Sequence, residues 1–237
     1  MTSAAASYRL AIFDLDGTLI QLRRVAFVAA IARLCADFAY PATRRELYRL
    51  LSSEDMFGFA APGDRGWLEL VFWDRYAPRE QAASPIPGAA SALRWLRAAG
   101  VRTAVATARH CADRDVRAVL AAVGLDSLID DAMSAGIENR VDKSIVMRRL
   151  CERATCAVSA ALAVGDTSAD IRAAREARIG LVIGVCSGQI QRRVLAGSRP
   201  DLVLRGVADL PMWLPGLRGG AQLTAATDEV CGGTSDG

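Results

Sequence analysis

A short acidic run at the end of a buried strand constrains the fold of this chain more than any other feature. The apolar residues 10–13 are followed directly by Asp14-Leu15-Asp16-Gly17-Thr18. Two carboxylates two residues apart can divide their work, one as nucleophile and metal ligand and the other as general acid and base. The pattern is also ordinary turn chemistry, in which aspartate caps backbone amides and glycine adopts a positive φ. The run alone leaves both interpretations open.

Three further polar signals follow the acidic run in a fixed order. Residues 101–107 predict a second strand that ends in Thr107, and residues 160–165 predict another that leads into Asp166 and Asp170, with Lys143 between the two strands. Near-continuous apolar runs are typical of parallel strands that are covered on both faces. Because ligands bind at the carboxyl edge of an open α/β sheet, we expect these residues to converge on one crevice.

The remaining chain alternates between helix and strand patterns. Apolar spacing and terminal glycines predict helices at 89–99, 112–123, 143–153 and 169–177, and further strands at 127–133, 181–185 and 201–204. Such alternation is typical of α/β proteins. The predicted fold is therefore a doubly wound parallel sheet with helices on both faces.

Residues 21–85 predict a small α-helical domain, inserted between core segments 8–20 and 86–217. Helical spacing recurs over residues 25–36, 44–51 and 67–76, and ten of the fourteen aromatic residues lie in this insertion. Most of these aromatics are expected to build its core, because so small a unit needs bulky side chains. Residues 53–66 predict a loop, since their glycines and proline do not suit a continuous helix.

Composition limits the classes of function. The formal net charge is +3 and the arginines are dispersed, which argues against a nucleic-acid surface. No apolar run approaches the roughly 20 residues that span a bilayer, so no membrane partner is expected. Residues 1–7 do not resemble a signal peptide, so a cytoplasmic protein is predicted, with flexible tails at 1–7 and 218–237. Six scattered cysteines and one histidine do not suit a zinc site or a disulfide framework.

With these signals in place, the chain resembles the haloacid dehalogenase superfamily, in its phosphatase branch of the phosphoglycolate phosphatase-like type. The resemblance rests on Asp14-Leu15-Asp16-Gly17-Thr18, Thr107, Lys143 and Asp166-Thr167-Ser168-Ala169-Asp170, together with Pro87-Gly88 before a helix that re-enters the core. It covers roughly residues 8–215 and implies a helical cap inserted after the first strand.

The resemblance implies phosphate ester hydrolysis through an aspartyl-phosphate. Asp14 would attack phosphorus, and Asp16 would protonate the leaving oxygen and then deprotonate the attacking water. Since nucleophile and substrate are both anionic, a cation must offset their repulsion, and Mg²⁺ suits oxygen ligands. Asp14 and Asp166 would bind it by side chain, and Asp16 by its backbone carbonyl.

Other residues of the predicted site support the phosphate and the substrate. Thr107 would donate its hydroxyl to a phosphoryl oxygen and Lys143, the only lysine of the chain, would add positive charge, although Ser144 replaces the family's usual proline. Asp170 would hold Lys143, bind metal through water or simply cap a helix. The candidate substrate-binding residues are Thr18, Ala108, Arg109, Phe57, Phe59 and Arg65.

Several activities of the superfamily fit less well. Dehalogenases lack the second aspartate that Asp16 provides, and the phosphonate-cleaving branch uses a cap lysine, which is absent between residues 21 and 85. A phosphosugar mutase remains an alternative, but its usual cap histidine is absent as well. A non-catalytic interaction protein that retains the fold is a further alternative. The expected partner is a small phosphorylated metabolite, with monomer and homodimer both open.

Overall fold

The computed structural model describes residues 8–21, 24–76, 84–109, 111–136, 142–187 and 192–214. The predicted tails at 1–7 and 218–237 lie outside the described residues, as does His110. Within the described part, no helix combines the length and the apolar character needed to cross a membrane.

Six parallel strands form one sheet. They are β1 (Leu10–Phe13), β2 (Arg102–Thr107), β3 (Asp131–Ser134), β4 (Ala161–Gly165), β5 (Leu181–Val185) and β6 (Leu202–Leu204). Their order is β3-β2-β1-β4-β5-β6, so β1 lies between β2 and β4. The predicted parallel sheet is confirmed.

Nine α-helices accompany these strands in the described residues. They are α1 (Arg24–Asp37), α2 (Arg44–Ser52), α3 (Arg65–Val71), α4 (Ala89–Ala98), α5 (Asp113–Ala122), α6 (Lys143–Arg153), α7 (Ser168–Glu176), α8 (Arg192–Gly197) and α9 (Leu210–Trp213). The four predicted core helices correspond to α4, α5, α6 and α7, whereas the sequence patterns did not indicate α8 and α9.

Helices cover both faces of the sheet because its strands are apolar on both sides. Ala11 and Phe13 of β1 pack into one apolar cluster with residues of α4, while Leu10 and Ile12 pack into a second cluster with residues of α6. Successive side chains of a strand point to opposite faces, so a continuous apolar run supplies two cores. This arrangement confirms the doubly wound fold.

The strand predicted at residues 127–133 begins later than expected. Residues Asp126–Leu128 form a 3-10 turn, and β3 begins at Asp131. The Arg117 guanidinium binds the Asp126 carboxylate and the carbonyls of Ile129 and Asp130. The Asp130 carboxylate also accepts the Thr103 backbone N–H of β2, so regular strand pairing begins only with Ala104 and Asp131.

Residues 24–76, here called the helical insert, form their own apolar cluster. Phe27, Ile31, Leu34, Leu68 and Phe72 are among its buried members. The predicted helix at 67–76 starts earlier, as α3, and ends in a wider π-helical turn at Phe72–Tyr76.

Two paired linkers join the helical insert to the sheet domain. Gln21 donates its backbone N–H to the Ser84 carbonyl over 2.8 Å, and Ile86 donates to Leu19 over 2.8 Å. We call this pair of linkers the hinge. Because the hinge holds the ends of the insert together, the insert lies outside the sheet without interrupting it.

Candidate active site

The sheet topology brings the predicted core residues to one edge. Asp14 follows β1, Thr107 ends β2, and Asp166 follows β4. Since β2 and β4 flank β1, the chain connections leave this point in opposite directions and open a crevice at the carboxyl ends of the strands. Asp14, Thr107 and Asp166 are all buried there.

Two glycines allow the loops of this edge to approach one another. Gly17 has a φ of 84°, and a Cβ on it would lie 2.2 Å from the Asp166 carboxylate. A Cβ on Gly165 would lie 2.3 Å from the Cβ of Asp170. Any larger residue would displace one of these carboxylates, so both glycines are needed for close packing of the acidic groups.

Lys143 lies between two of these carboxylates. It begins α6, whose N-cap residue Asp142 accepts a hydrogen bond from the Ser144 backbone N–H. Its Nζ atom lies 2.5 Å from Asp14 Oδ1 and 2.6 Å from Asp170 Oδ1, and the side chain is buried. Burial lowers the pKa of Lys143, but the ion pairs with Asp14 and Asp170 outweigh it and raise that pKa above its usual value.

Asp170 combines two of the roles predicted for it. Its Oδ2 accepts hydrogen bonds from the Thr167 backbone N–H and hydroxyl, and Thr167 in turn caps the Asp170 backbone N–H. This reciprocal capping box fixes the start of α7. Because the other oxygen accepts from Lys143, protein donors occupy both oxygens of Asp170. Asp170 therefore positions Lys143 and the loop that carries Asp166.

The buried carboxylates form a site that suits a divalent cation. Ligand atoms of Asp14, Asp166 and Asp170 lie within 4.8 Å of one another. Burial is the main cause that raises the pKa of Asp14 to about 7, and burial followed by the charge of Asp14 raises the pKa of Asp166. Carboxylate oxygens are the ligands that Mg²⁺ prefers, and a cation would relieve the crowding of negative charge. The donor set therefore fits Mg²⁺.

Thr18 contributes to the same cluster from the turn after β1. Its side chain is fully buried, and its hydroxyl donates a 3.3 Å hydrogen bond to Asp166 Oδ1. The structure thus places Thr18 against a carboxylate, whereas the sequence predicted it beside the substrate. Its role as a substrate contact stays a prediction.

Arg109 forms a two-pronged ion pair with Asp16. Its Nε and Nη2 atoms donate hydrogen bonds of 2.6 Å each to the two carboxylate oxygens of Asp16. Its backbone N–H donates to the Thr107 hydroxyl over 3.2 Å. Ala108 between them is exposed. Arg109 therefore orients the second aspartate of the motif and lies directly beyond the strand end that carries Thr107.

The three predicted substrate contacts of the insert are engaged within the insert. Phe57 is 7% exposed and packs edge-to-face on Phe59 and Phe72. Arg65 binds the Asp55 carboxylate and the Ala60 carbonyl. These contacts give Phe57 and Arg65 structural roles, and contact of Phe57, Phe59 or Arg65 with a substrate stays a prediction.

One polar contact between insert and sheet domain was missed from the sequence. Glu54 of the helical insert accepts a hydrogen bond through Oε1 from the backbone N–H of Ser168, at the start of α7. No local sequence pattern indicated it; in the structure, Glu54 follows the end of α2 at a position with a φ of 59°. Glycine is the usual residue at such positions, although Glu54 is one of five non-glycine residues with a positive φ in the described part.

Comparison with known proteins agrees with this geometry. The family model described as haloacid dehalogenase-like hydrolase matches residues 11–184. A curated relative, a phosphoglycolate phosphatase of Pseudomonas putida, is 27% identical over 222 residues, which cover 88% of this chain and 79% of the relative.

Solved structures share the fold at lower identity. A haloacid dehalogenase-like hydrolase from Streptococcus pneumoniae superposes with a TM-score of 0.71 at 16% identity, over 87% of this chain and 98% of that one. A candidate β-phosphoglucomutase from Thermotoga maritima superposes with a TM-score of 0.61 at 17% identity, again over 87% and 98%. At such identities, these likenesses describe the fold alone.

Proposed function

Since the chain belongs to the haloacid dehalogenase-like hydrolase family, we propose that it is a Mg²⁺-dependent phosphatase that hydrolyses a small phosphate monoester. The observation that carries the proposal is the buried chain Asp14–Lys143–Asp170 beside Asp166. Burying charged groups together costs stability, and such clusters concentrate at functional sites. A curated phosphatase relative at 27% identity supports the same reaction class.

Asp14 is the proposed nucleophile. Lys143 binds Asp14 Oδ1, which fixes the carboxylate and leaves Oδ2 to attack phosphorus in line with the leaving oxygen. The new bond joins Asp14 to phosphorus while the ester oxygen departs, which gives an aspartyl-phosphate. Asp14, Asp166 and the Asp16 carbonyl would hold Mg²⁺, which supplies charge neutralisation when it is bound.

Asp16 is the proposed general acid and base. It gives a proton to the departing alkoxide, then removes a proton from the water that attacks the aspartyl-phosphate and releases inorganic phosphate. The Arg109 guanidinium holds both carboxylate oxygens of Asp16 and so orients the group, and one of these hydrogen bonds must open when Asp16 carries the proton. Thr107 and Lys143 supply a hydroxyl and a positive charge to the phosphoryl oxygens.

The helical insert is proposed to act as a cap over this edge. It follows the Asp14–Thr18 turn directly, and the hinge places its ends beside the turn. A lid in this position excludes bulk water while the phosphoryl group is transferred to Asp14, and it selects the leaving group. The proposed substrate is thus a small phosphorylated metabolite. Cys35, Cys111, Cys151 and Cys156 are free thiols, which supports a reducing compartment such as the cytoplasm.

The proposal is tested with p-nitrophenyl phosphate as a generic aryl ester, followed by a panel of phosphorylated metabolites. We expect Mg²⁺-dependent release of inorganic phosphate, loss of activity with a chelator, and recovery when Mg²⁺ is added back. Phosphate as the final product separates hydrolysis from phosphoryl transfer to a sugar hydroxyl. A folded protein that is inactive on the whole panel would contradict the proposal and favour a binding role.

A further inference from the structure

In the part of the chain that the structure describes, the helical insert and the sheet domain do not share an apolar core. Its buried residues, including Phe27, Leu47 and Phe72, cluster with one another, while the strands pack in two separate clusters. Among the described residues, hydrogen bonds join the insert and the sheet domain at the hinge, and Glu54 and Ser168 form a further one. The orientation of the insert therefore depends strongly on polar contacts.

The Ser168 backbone N–H needs a partner from outside its own helix. The first four N–H groups of an α-helix have no acceptor within the helix. At α7, the capping box serves the backbone N–H groups of Thr167 and Asp170. Glu54 serves the N–H of Ser168, which also lies at the positive end of the helix dipole. A carboxylate from the insert thus completes the cap of a helix in the sheet domain.

The backbone at Glu54 shows that this side chain is placed at a conformational cost. Asp55 donates its backbone N–H to the Leu50 carbonyl over 3.0 Å, which closes the end of α2 with Glu54 in the left-handed region at a φ of 59°. Glycine adopts this conformation without penalty, whereas glutamate does not. The arrangement directs Glu54 to a helix that begins two residues after the metal-site residue Asp166.

We propose that Glu54 is a latch that holds the helical insert closed over the active site. The carboxylate docks on the Ser168 N–H, so closure of the insert and ordering of the Asp166–Asp170 loop occur together. Glu54 is a positioning residue, because it acts through the insert and this loop rather than on the reacting atoms. Only its effect on turnover rests on the proposed phosphatase function, since the contact itself can be measured without catalysis.

Glu54→Gly and Ala39→Gly form a matched pair of variants. Ala39 also has a left-handed φ, 57°, and lies in the same insert after the end of α1, but it is exposed. Both substitutions relieve the same backbone strain, and only Glu54→Gly removes the carboxylate at Ser168. Circular dichroism checks that both variants are folded. Glu54→Gln, whose amide oxygen can still accept, tests for partial rescue.

The first measurement is the hydrogen exchange rate of the Ser168 amide, read by NMR on protein labelled with ¹⁵N-serine. We expect Glu54→Gly to speed exchange about tenfold or more, the scale of losing a hydrogen bond to a charged group. Ala39→Gly should leave the rate unchanged, and Glu54→Gln should fall between. An equal exchange rate in Glu54→Gly and Ala39→Gly would overturn the proposal, whatever the protein hydrolyses.

The second measurement is kcat/KM for p-nitrophenyl phosphate with Mg²⁺. Glu54→Gly should lower it about tenfold, Glu54→Gln should restore part of the loss, and Ala39→Gly should match the wild type. Ser168→Pro removes the N–H donor at a first helical position that tolerates proline. If the Glu54 carboxylate and the Ser168 N–H act together, the Glu54→Gly/Ser168→Pro double variant should have a kcat/KM no lower than that of either single variant. Additive losses, or full activity of Glu54→Gly, would overturn the latch.

Discussion

The carboxyl edge of the sheet buries its charged side chains, whereas the helical insert leaves its charged side chains exposed or half-buried. At the edge, Asp14, Asp166, Asp170 and Lys143 are buried together, and burial raises the pKa of Asp14 and Asp166. In the insert, charged groups lie in exposed or half-buried pairs such as Arg65 with Asp55, around an aromatic core. The edge thus keeps charged groups together at the expense of stability, whereas the insert is arranged for packing.

This difference predicts opposite consequences for mutations in the two regions. Substitutions at the edge should change activity far more than stability, and substitutions in the insert's core should do the reverse. An edge variant that mainly loses stability, or an insert-core variant that mainly loses activity, would show that the region concerned has been interpreted wrongly.

The largest effect is expected for Asp14→Asn. The amide cannot form the phosphoryl-enzyme, so we expect turnover of p-nitrophenyl phosphate to fall by about 10⁴-fold or more. The fold should persist, because Lys143 keeps its ion pair with Asp170. Asp126→Asn is the matched control and should stay active, because Asp126 is a half-exposed residue of the sheet domain that pairs with Arg117. Retention of a few per cent of activity by Asp14→Asn would exclude Asp14 as the nucleophile.

Phe57→Ala should show the reverse pattern in the insert. Removing a buried phenyl ring from an aromatic cluster costs about 3–5 kcal/mol, so the unfolding temperature should fall by roughly 6–20 °C. Phe59→Ala is the control, since Phe59 packs on Tyr40 at the half-buried margin of the same cluster. Thermal denaturation measures both variants. A normal unfolding temperature for Phe57→Ala, combined with weaker use of large leaving groups only, would make Phe57 a substrate contact instead.

The meeting of these polar residues at one edge could be predicted from the sequence because parallel topology leaves little freedom. Once β1, β2 and β4 are known to be neighbours, Asp14, Thr107 and Asp166 must meet at one edge. The order of polar residues along the chain therefore contained most of the site. The side-chain pairings did not follow from this order: the dual role of Asp170 depends on the geometry of a capping box, which local spacing only suggests.

The insert could be predicted as helical but not in its contacts. The aromatic residues indicated a small packed core, yet they gave no sign that Phe57 belongs to it. The Glu54 contact joins residues that are 114 positions apart, and it depends on how the insert is oriented about the hinge. No local pattern encodes that orientation, so sequence reasoning located the insert without locating its contact.

The third prediction concerns the buried charge of the edge as a function of pH. A carboxyl group whose pKa is raised by folding stabilises the protein while it is protonated and loses this contribution as pH rises through the folded pKa. For Asp14 the window runs from its usual value of 3.8 to about 7. Because Mg²⁺ binds the ionised carboxylates, the stabilisation by Mg²⁺ should grow across the same window, by several °C between about pH 5 and about pH 8.

Thermal unfolding with excess Mg²⁺ and with a chelator measures this effect. Asp166→Asn should lose most of the Mg²⁺-induced rise and, with the chelator at higher pH, should be more stable than the wild type because one crowded charge is gone. Asp201→Asn should keep the Mg²⁺-induced rise in unfolding temperature, because Asp201 lies in the sheet domain and pairs with Arg175. A Mg²⁺ effect that is independent of pH would contradict the description of the edge as a set of strained carboxylates.

The smallest effect is expected for Arg109→Lys, which tests whether the edge depends on orientation as well as on charge. Lysine keeps the positive charge but cannot form the two parallel hydrogen bonds that Arg109 makes to Asp16. Asp16 would then sample more orientations, and we expect kcat/KM to fall about tenfold while stability changes little.

Arg117→Lys is the matched control. Arg117 lies away from the crevice and makes a similar network with the Asp126 carboxylate and two backbone carbonyls. It should lower the unfolding temperature and leave kcat/KM unchanged. Equal kcat/KM for Arg109→Lys and the wild type would show that charge alone, without a fixed orientation of Asp16, suffices at this edge.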